Sequence, residues 1–326
     1  MKSVYSRLRA LGLTKPFVQK TILPDWWDDE AADSPAGFAE ALTIIGRHVG
    51  IAPDRLRDPA SVLEVPTPQH VKFKRSRGAQ VEEVSLAQHL SVQVLRHVMQ
   101  ATPLAGSLPA TAQEIRASVL DRGDPWVSLR GLLRFLWDHG IPVLHVSNFP
   151  AAAKRMDGLA ARIGERAGIV LSVKRPQSSW QLFVLAHELG HICRGHVQPD
   201  SVLTDASIDQ ESDDAEEREA NEFAIELLTG DPRRTFTSTG TWPNAAQLAM
   251  SAKALGERHQ IDPGHIVLSY ANNKNFYPVA LAALKLIESE PRGLSEIREA
   301  MVSGVDWSRL PEDASDFIMR MSSFDQ

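Results

Sequence analysis

"FVLAHELGHICRGH", residues 183–196, carries two histidines four positions apart with a glutamate beside the first. On an α-helix, positions i and i+4 project from one face about a turn apart, so His187 and His191 can ligate one ion. Glu188 follows the first histidine and can reach a water on that ion. Neutral imidazoles leave a cation Lewis-acidic, and a carboxylate outside the ligand set can accept a proton, which is why zinc hydrolases use this H-E-x-x-H spacing. Three fixed letters in five also recur by chance in unrelated helices. The flanking pattern argues for the metal. Trp180, Phe183, Val184, His187 and His191 continue one buried stripe, and core-facing imidazoles beside a glutamate are costly without a partner.

A zinc hydrolase needs a third protein ligand. One subclass would require glycine at 194 and histidine at 197, where this chain has Arg194 and Val197. The alternative is a glutamate on a later helix, and "DDAEEREANEFAIELL", residues 213–228, is the candidate. Its apolar face is Ala220, Phe223, Ala224, Leu227 and Leu228. At 100° per residue, Glu216 and Glu217 fall within about 50° of that face, Glu219 lies about 110° away, and Glu222 and Glu226 are farther round. Glu217 is preferred because Asn221, one turn on, can hydrogen-bond a ligand histidine and set its tautomer, whereas Glu216 has only Ala220 there. The competing reading of Glu217 is a solvated carboxylate that favours the helix dipole.

His196 and Tyr270 are candidate oxyanion stabilisers, with Tyr277 beside them. For His196 the simpler reading is a helix C-terminal histidine favoured by the dipole. Cys193 sits about 200° round the helix from His191 and is read as a small buried hydrophobe pointing away from the metal.

Working outward, "DGLAARIGERAGIVLSV" reads as a strand pair turning within residues 164–168, and "IPVLHVS" as a shorter strand before it. "AGIVLSV", close to the histidine helix, is either an edge that pairs with an extended substrate or an interior strand. Residues 1–108 read as a helical N-terminal domain. Ser34, Pro35 and Gly50 punctuate one helix there, and a second runs from Ser85. Between them lies a proline-bearing connector with Lys72, Lys74, Arg75 and Arg77. Residues 109–230 read as a zincin-like domain whose serine-led helix caps itself, and residues 231–326 as a helical extension of about three amphipathic helices. The expected class is therefore α+β and predominantly helical: a short sheet packed on the H-E-x-x-H helix, flanked by helical regions.

Composition bounds the rest. A hydrophobic share of 43%, a charged share of 23% and a formal net charge of −6 describe an ordinary globular chain with no global basic excess to draw nucleic acid. A lone cysteine makes no internal disulfide, no secretory signal is read at the N-terminus, and the longest apolar stretch is too short to span a bilayer. A cytoplasmic protein without a membrane partner is expected.

The combination of "FVLAHELGHICRGH", "EEREANEFAIELL" and the upstream strand pair resembles the ImmA/IrrE family of bacterial zinc metallopeptidases over roughly residues 128–228. The resemblance implies zinc on His187, His191 and Glu217, with Glu188 as general base. Manganese is the other cation that such a donor set accepts. It also implies a protein substrate, a helix-turn-helix repressor or an antitoxin encoded nearby, and hence roles in stress response, transcription regulation or toxin–antitoxin control. Two departures stand out: some members have aspartate where this chain has Asn221, and many end the second helix in Leu-Leu-Met-Pro where this chain has "LLTG". Other members carry a DNA-binding N-terminal domain. Here the helix-turn-helix spacing is unclear, "DWWDDE" would repel phosphate, and "KFKRSR" reads better as a solvated linker. Docking of a protein partner is thus preferred over DNA, and a DNA- or partner-binding sensor is the alternative function. The oligomeric state is not legible.

Overall fold

Two strands, Gly158–Ile163 and Arg166–Leu171, reverse at Gly164, whose φ of 58° lies in the left-handed region that glycine adopts without strain. The computed structural model describes residues 1–65, 70–74, 81–153, 156–205, 214–237, 243–274 and 276–323. In it this hairpin is the centre of a five-stranded mixed sheet. In chain order the strands are β1 (His70–Lys74), β2 (Val143–His145), β3 (Gly158–Ile163), β4 (Arg166–Leu171) and β5 (Ser201–Asp205), lying in the order β1-β5-β3-β4-β2. β3 is antiparallel to both β4 and β5, while β2 runs parallel to β4 and β1 parallel to β5.

This order corrects three expectations. β4 is interior, with partners on both sides, so "AGIVLSV" offers no edge for a substrate strand. β5 falls between the two candidate ligand helices, where no strand is expected, and β1 in the stretch read as a connector. Both are five residues long, too short for alternation to stand out, and β1 alternates lysine with apolar residues as edge strands do.

Successive strand residues face opposite sides, and each side here meets a different core. Leu159, Ala161, Val170 and Val202 join a cluster with the N-terminal helices α1 (Lys2–Ala10), α2 (Lys15–Phe17), α3 (Pro35–Val49), α4 (Pro53–Arg57) and α5 (Val81–Gln100). Ala160, Ile169, Leu171 and Leu203 join a second cluster. Its helices are α6 (Ala112–Leu120), α7 (Leu129–Asp138), α8 (Ser178–Cys193) and α9 (Ala215–Thr229). A sheet covered on both faces explains why β4 reads as an unbroken apolar run.

A third cluster belongs to α10 (Ala245–His259), α11 (Pro263–Lys274) and α12 (Tyr277–Ile287). The chain then returns. α13 (Gly293–Gly304) sends Ile297 into the second cluster and Met301 into the first, and α14 (Glu312–Met321) sends Phe317 and Ile318 into the first. The C-terminal part therefore holds five α-helices among the described residues, where about three are expected. The first cluster draws on residues before 108, on the sheet and on α13 and α14, and the second on residues 112–228 and on Ile297 of α13. No described helix is long and apolar enough to cross a membrane.

Local signals hold where they are local. Ser34 accepts from Gly37 N–H at 3.0 Å, Pro35 occupies the first turn of α3, and Gly50 ends it at φ 69°. The start of α8 differs from expectation. No side chain caps it from its own sequence. Instead, Ser178 donates its N–H (3.0 Å) and its hydroxyl (2.7 Å) to the Glu288 carboxylate, which follows α12. A carboxylate at a helix N-terminus is favoured by the dipole, and here it arrives from 110 residues away.

Candidate metal centre

Residues 184–192 of α8 are all buried, since the helix is enclosed by the sheet on one side and α9 on the other. The two helices meet at Gly190, where a Cβ would stand 3.0 Å from the carbonyl oxygen of Ala220. That close approach carries Glu217, one turn before Asn221, alongside the two histidines.

His187 Nε2 and His191 Nε2 lie 3.1 Å apart, His187 Nε2 is 3.4 Å from Glu217 Oε2, and His191 Nε2 is 3.5 Å from Glu217 Oε1. Ligands about 2.0–2.1 Å from a tetrahedral ion stand about 3.3 Å from one another, so this triangle fits a zinc-type site. The donors are buried, and among the described residues they are the set of three or more that could hold a metal ion. Glu216 is only partly buried on the flank of α9, whereas Glu217 is 5% exposed and turned to the imidazoles.

The far nitrogens are also engaged. With Nε2 reserved for a cation, His187 Nδ1–H donates to Asn221 Oδ1 at 3.0 Å, and His191 Nδ1–H donates to His196 Nδ1 at 2.9 Å. His196 Nε2–H then donates to Glu219 Oε2 at 3.0 Å. The His191 and His196 tautomers follow from one another along this chain, and Asn221 sets that of His187 separately. Sequence reasoning set Glu219 aside as a ligand, and it is not one. Its work is to hold His196, a partnership between two helices that helical periodicity does not signal. His196 accordingly lies behind His191 with both ring nitrogens turned to His191 and Glu219, which is not where an oxyanion donor would face.

Glu188 is fully buried and lies outside the ligand triangle. Its carboxylate rests over Gly158 at the start of β3, where any Cβ would collide with it. Tyr270 is buried in the third cluster, and the Tyr277 hydroxyl donates to Asn272 Oδ1 at 3.1 Å. Cys193 is a free, partly buried thiol packed against the second cluster. Burial pushes its pKa up to about 12, so it stays a neutral thiol. Of the basic cluster, Lys72 and Lys74 lie in β1, while Arg75 and Arg77 are outside the described residues.

Residues 138–236 match the model of the IrrE N-terminal-like domain family, Peptidase_M78. The ImmA/IrrE-type segment contains the whole donor set, Glu188, and the second-layer partners Asn221, His196 and Glu219. The match makes this part of the chain similar to a metallopeptidase-like family. The IrrE-like segment also contains β2 to β5, whereas β1 and everything from α10 onward lie outside it. No match was found among curated proteins or among solved structures.

Proposed function

We propose that the chain is a zinc-dependent endopeptidase that cleaves a protein regulator in the cytoplasm. The observation that carries this reading is the convergence of His187, His191 and Glu217 from two helices, with Glu188 beside them and outside the set. A divalent cation held there supplies a Lewis acid that acidifies water and polarises a carbonyl oxygen. Glu188 takes the proton of the attacking water on a carboxylate oxygen, in a position that burial keeps clear of bulk solvent. Asn221 and His196 hold the Nδ1 protons of the two ligand rings, leaving the Nε2 lone pairs for the cation. The family resemblance is what supports a repressor or antitoxin as substrate. The lone Cys193 supports a reducing compartment.

The test combines elemental analysis with turnover. Purified protein should carry about one zinc per chain. It should cut the product of the adjacent open reading frame at one site by mass spectrometry, and lose cutting by at least about 10²-fold in Glu188→Gln with metal retained. Metal-free protein with unchanged cutting, or full activity in Glu188→Gln, would remove the peptidase reading.

A further inference from the structure

α14 is fastened at both ends. At its first turn, Asp313 receives Arg47 of α3 on both carboxylate oxygens, at 2.7 and 2.8 Å, and its Oδ2 also lies 3.1 Å from His48 Nε2. His48 Nδ1 in turn lies 3.2 Å from His97 Nε2 of α5, and Phe317, one turn on from Asp313, stacks on His48 at 4.5 Å with 16° between planes. At its last turn, the Met321 carbonyl accepts the N–H groups of Ser147 and Asn148 at 3.0 and 3.1 Å, and the Arg320 carbonyl accepts Asn148 Nδ2 at 3.1 Å. The helix therefore joins α3 and α5 to the segment that leaves β2.

While uncharged, the imidazole pair has one arrangement of protons. A carboxylate beside Nε2 keeps the His48 proton there, so Nδ1 is a lone pair and accepts His97 Nε2–H. His48 is fully buried and His97 is 5% exposed. One added proton turns His48 into a cation and forces His97 to its other tautomer, and a second would set two charged rings with nitrogens 3.2 Å apart. Burial holds His48 below the ordinary imidazole value, and burial with the neighbouring ring lowers His97 to about 4. Around the pair, α3 presents Arg47, and α14 presents Asp313 and Arg320, the latter itself held by Asp25 and Asp316. The turn at residues 18–22, which also packs on α14, carries an exposed Lys20. Arg47 and Arg320 oppose a further positive charge and Asp313 favours it, and burial decides the sign.

We propose that His48, His97 and Asp313 form a proton-released latch: protonating the imidazole pair opens α14 locally, ahead of the rest of the fold, and frees Ser147 and Asn148 from its last carbonyls. The inference is independent of the peptidase reading, since neither metal nor turnover enters it. Its sign follows from linkage. An opened α14 gives both rings to water, where an imidazole titrates near its ordinary value of about 6.5, so the opened state binds the proton more readily. Docking is intact above about pH 6.5 and weakens as pH falls toward 4, by up to about tenfold in the opening equilibrium per pH unit and proton. Opening exposes the buried Phe317, Ile318 and Met321, which keeps α14 docked at neutral pH.

The experiment is hydrogen exchange read by mass spectrometry on the full chain at pH 7.5 and 5.0, corrected for the intrinsic exchange rate, with α7 as internal reference. In wild type, α14 should open at least about tenfold more at pH 5.0 than at 7.5, and at pH 5.0 at least about tenfold more than α7, with the Ser147 and Asn148 amides following α14. His97→Gln keeps a donor toward His48 Nδ1 but does not titrate, and should cut the pH difference in α14 to below about threefold. Asp313→Asn, which removes the charge from the same end, should raise α14 opening at both pH values. Equal α14 protection at the two pH values in wild type, opening of α14 only in step with α7, continued protection of Ser147 and Asn148 as α14 opens, or an undiminished pH difference in folded His97→Gln would overturn the proposal. The wild-type comparison decides it even where neither variant folds.

Discussion

His196 Nδ1 stands 2.9 Å from His191 Nδ1, and Glu219 holds the other side of the same ring at 3.0 Å. The ligand imidazole is thus oriented by a neutral acceptor that is itself oriented by a carboxylate at the protein surface. His187 is oriented by Asn221, a neutral amide. The two ligands therefore differ in the chemistry of the group that accepts their Nδ1 proton.

Metal affinity should report that difference. His196→Ala leaves His191 Nδ1–H facing a void and should weaken the metal about 10- to 100-fold in competition with a chromophoric chelator. Glu219→Gln, more exposed and one bond farther out, should cost less. Equal affinity in wild type and His196→Ala would mean that His191 needs no support from behind.

Gly158 should matter to turnover more than to metal. A Cβ there meets the Glu188 carboxylate. Gly158→Ala must displace that carboxylate, and a displacement near an ångström costs roughly 10²-fold in rate. Zinc content should be unchanged, so cutting and stoichiometry measured on one preparation distinguish a misplaced base from a lost site.

Buried His97 predicts an acid limit to stability. Its Nε2 meets His48 Nδ1 at 3.2 Å, and burial, with the neighbouring imidazole, lowers its pKa from 6.5 to about 4. The unfolded chain then binds the proton more readily, so the contribution is intact above about pH 6.5 and is lost as pH falls toward 4, by at most about 3 kcal/mol. Asp262, raised by burial to about 6, acts in the opposite sense, losing stability as pH rises through that value. The His97 part is therefore read as a difference: urea midpoints of wild type and His97→Gln should converge as pH drops from 7.5 to 5. Parallel pH curves would assign the acid sensitivity elsewhere.

Arg116 ties two helix ends together. Its Nη1 donates to the carbonyls of Leu227 (3.2 Å) and Leu228 (2.9 Å) at the end of α9, and its Nη2 to Gln260 (2.7 Å) after α10. Arg116→Met should cost about 2 kcal/mol by denaturant midpoint, since charged donors to terminal carbonyls are lost and the carbonyls stay buried. Arg116→Lys should recover only part, because an ammonium cannot span three acceptors in the geometry of the guanidinium fork. An unchanged midpoint in Arg116→Met would refute the tie.

Much of the site was legible because its information is local. Spacing on one helix places His187, His191 and Glu188, and angular position on a second narrows the third ligand to Glu216 and Glu217, between which Asn221 one turn on decides, since 3.6 residues per turn is a property of the backbone and not of the fold. The β3–β4 hairpin and the caps of α3 are readable for the same reason: a turn glycine and a capping serine act on neighbours a few residues away.

What could not be read depends on segments distant in the chain. β1 and β5 are strands because they find each other, Ser178 is capped by Glu288 across 110 residues, and Phe183 stacks on His265 because α11 folds back onto α8. Glu219 shows the limit within the site itself. Periodicity correctly turned it away from the ion, but its partner His196 lies past the end of another helix, at a place set by how closely Gly190 lets α8 and α9 approach. Helical and strand periodicity follow from bonded geometry and survive in any context, whereas pairing across the chain is selected by packing, which no short window of residues contains.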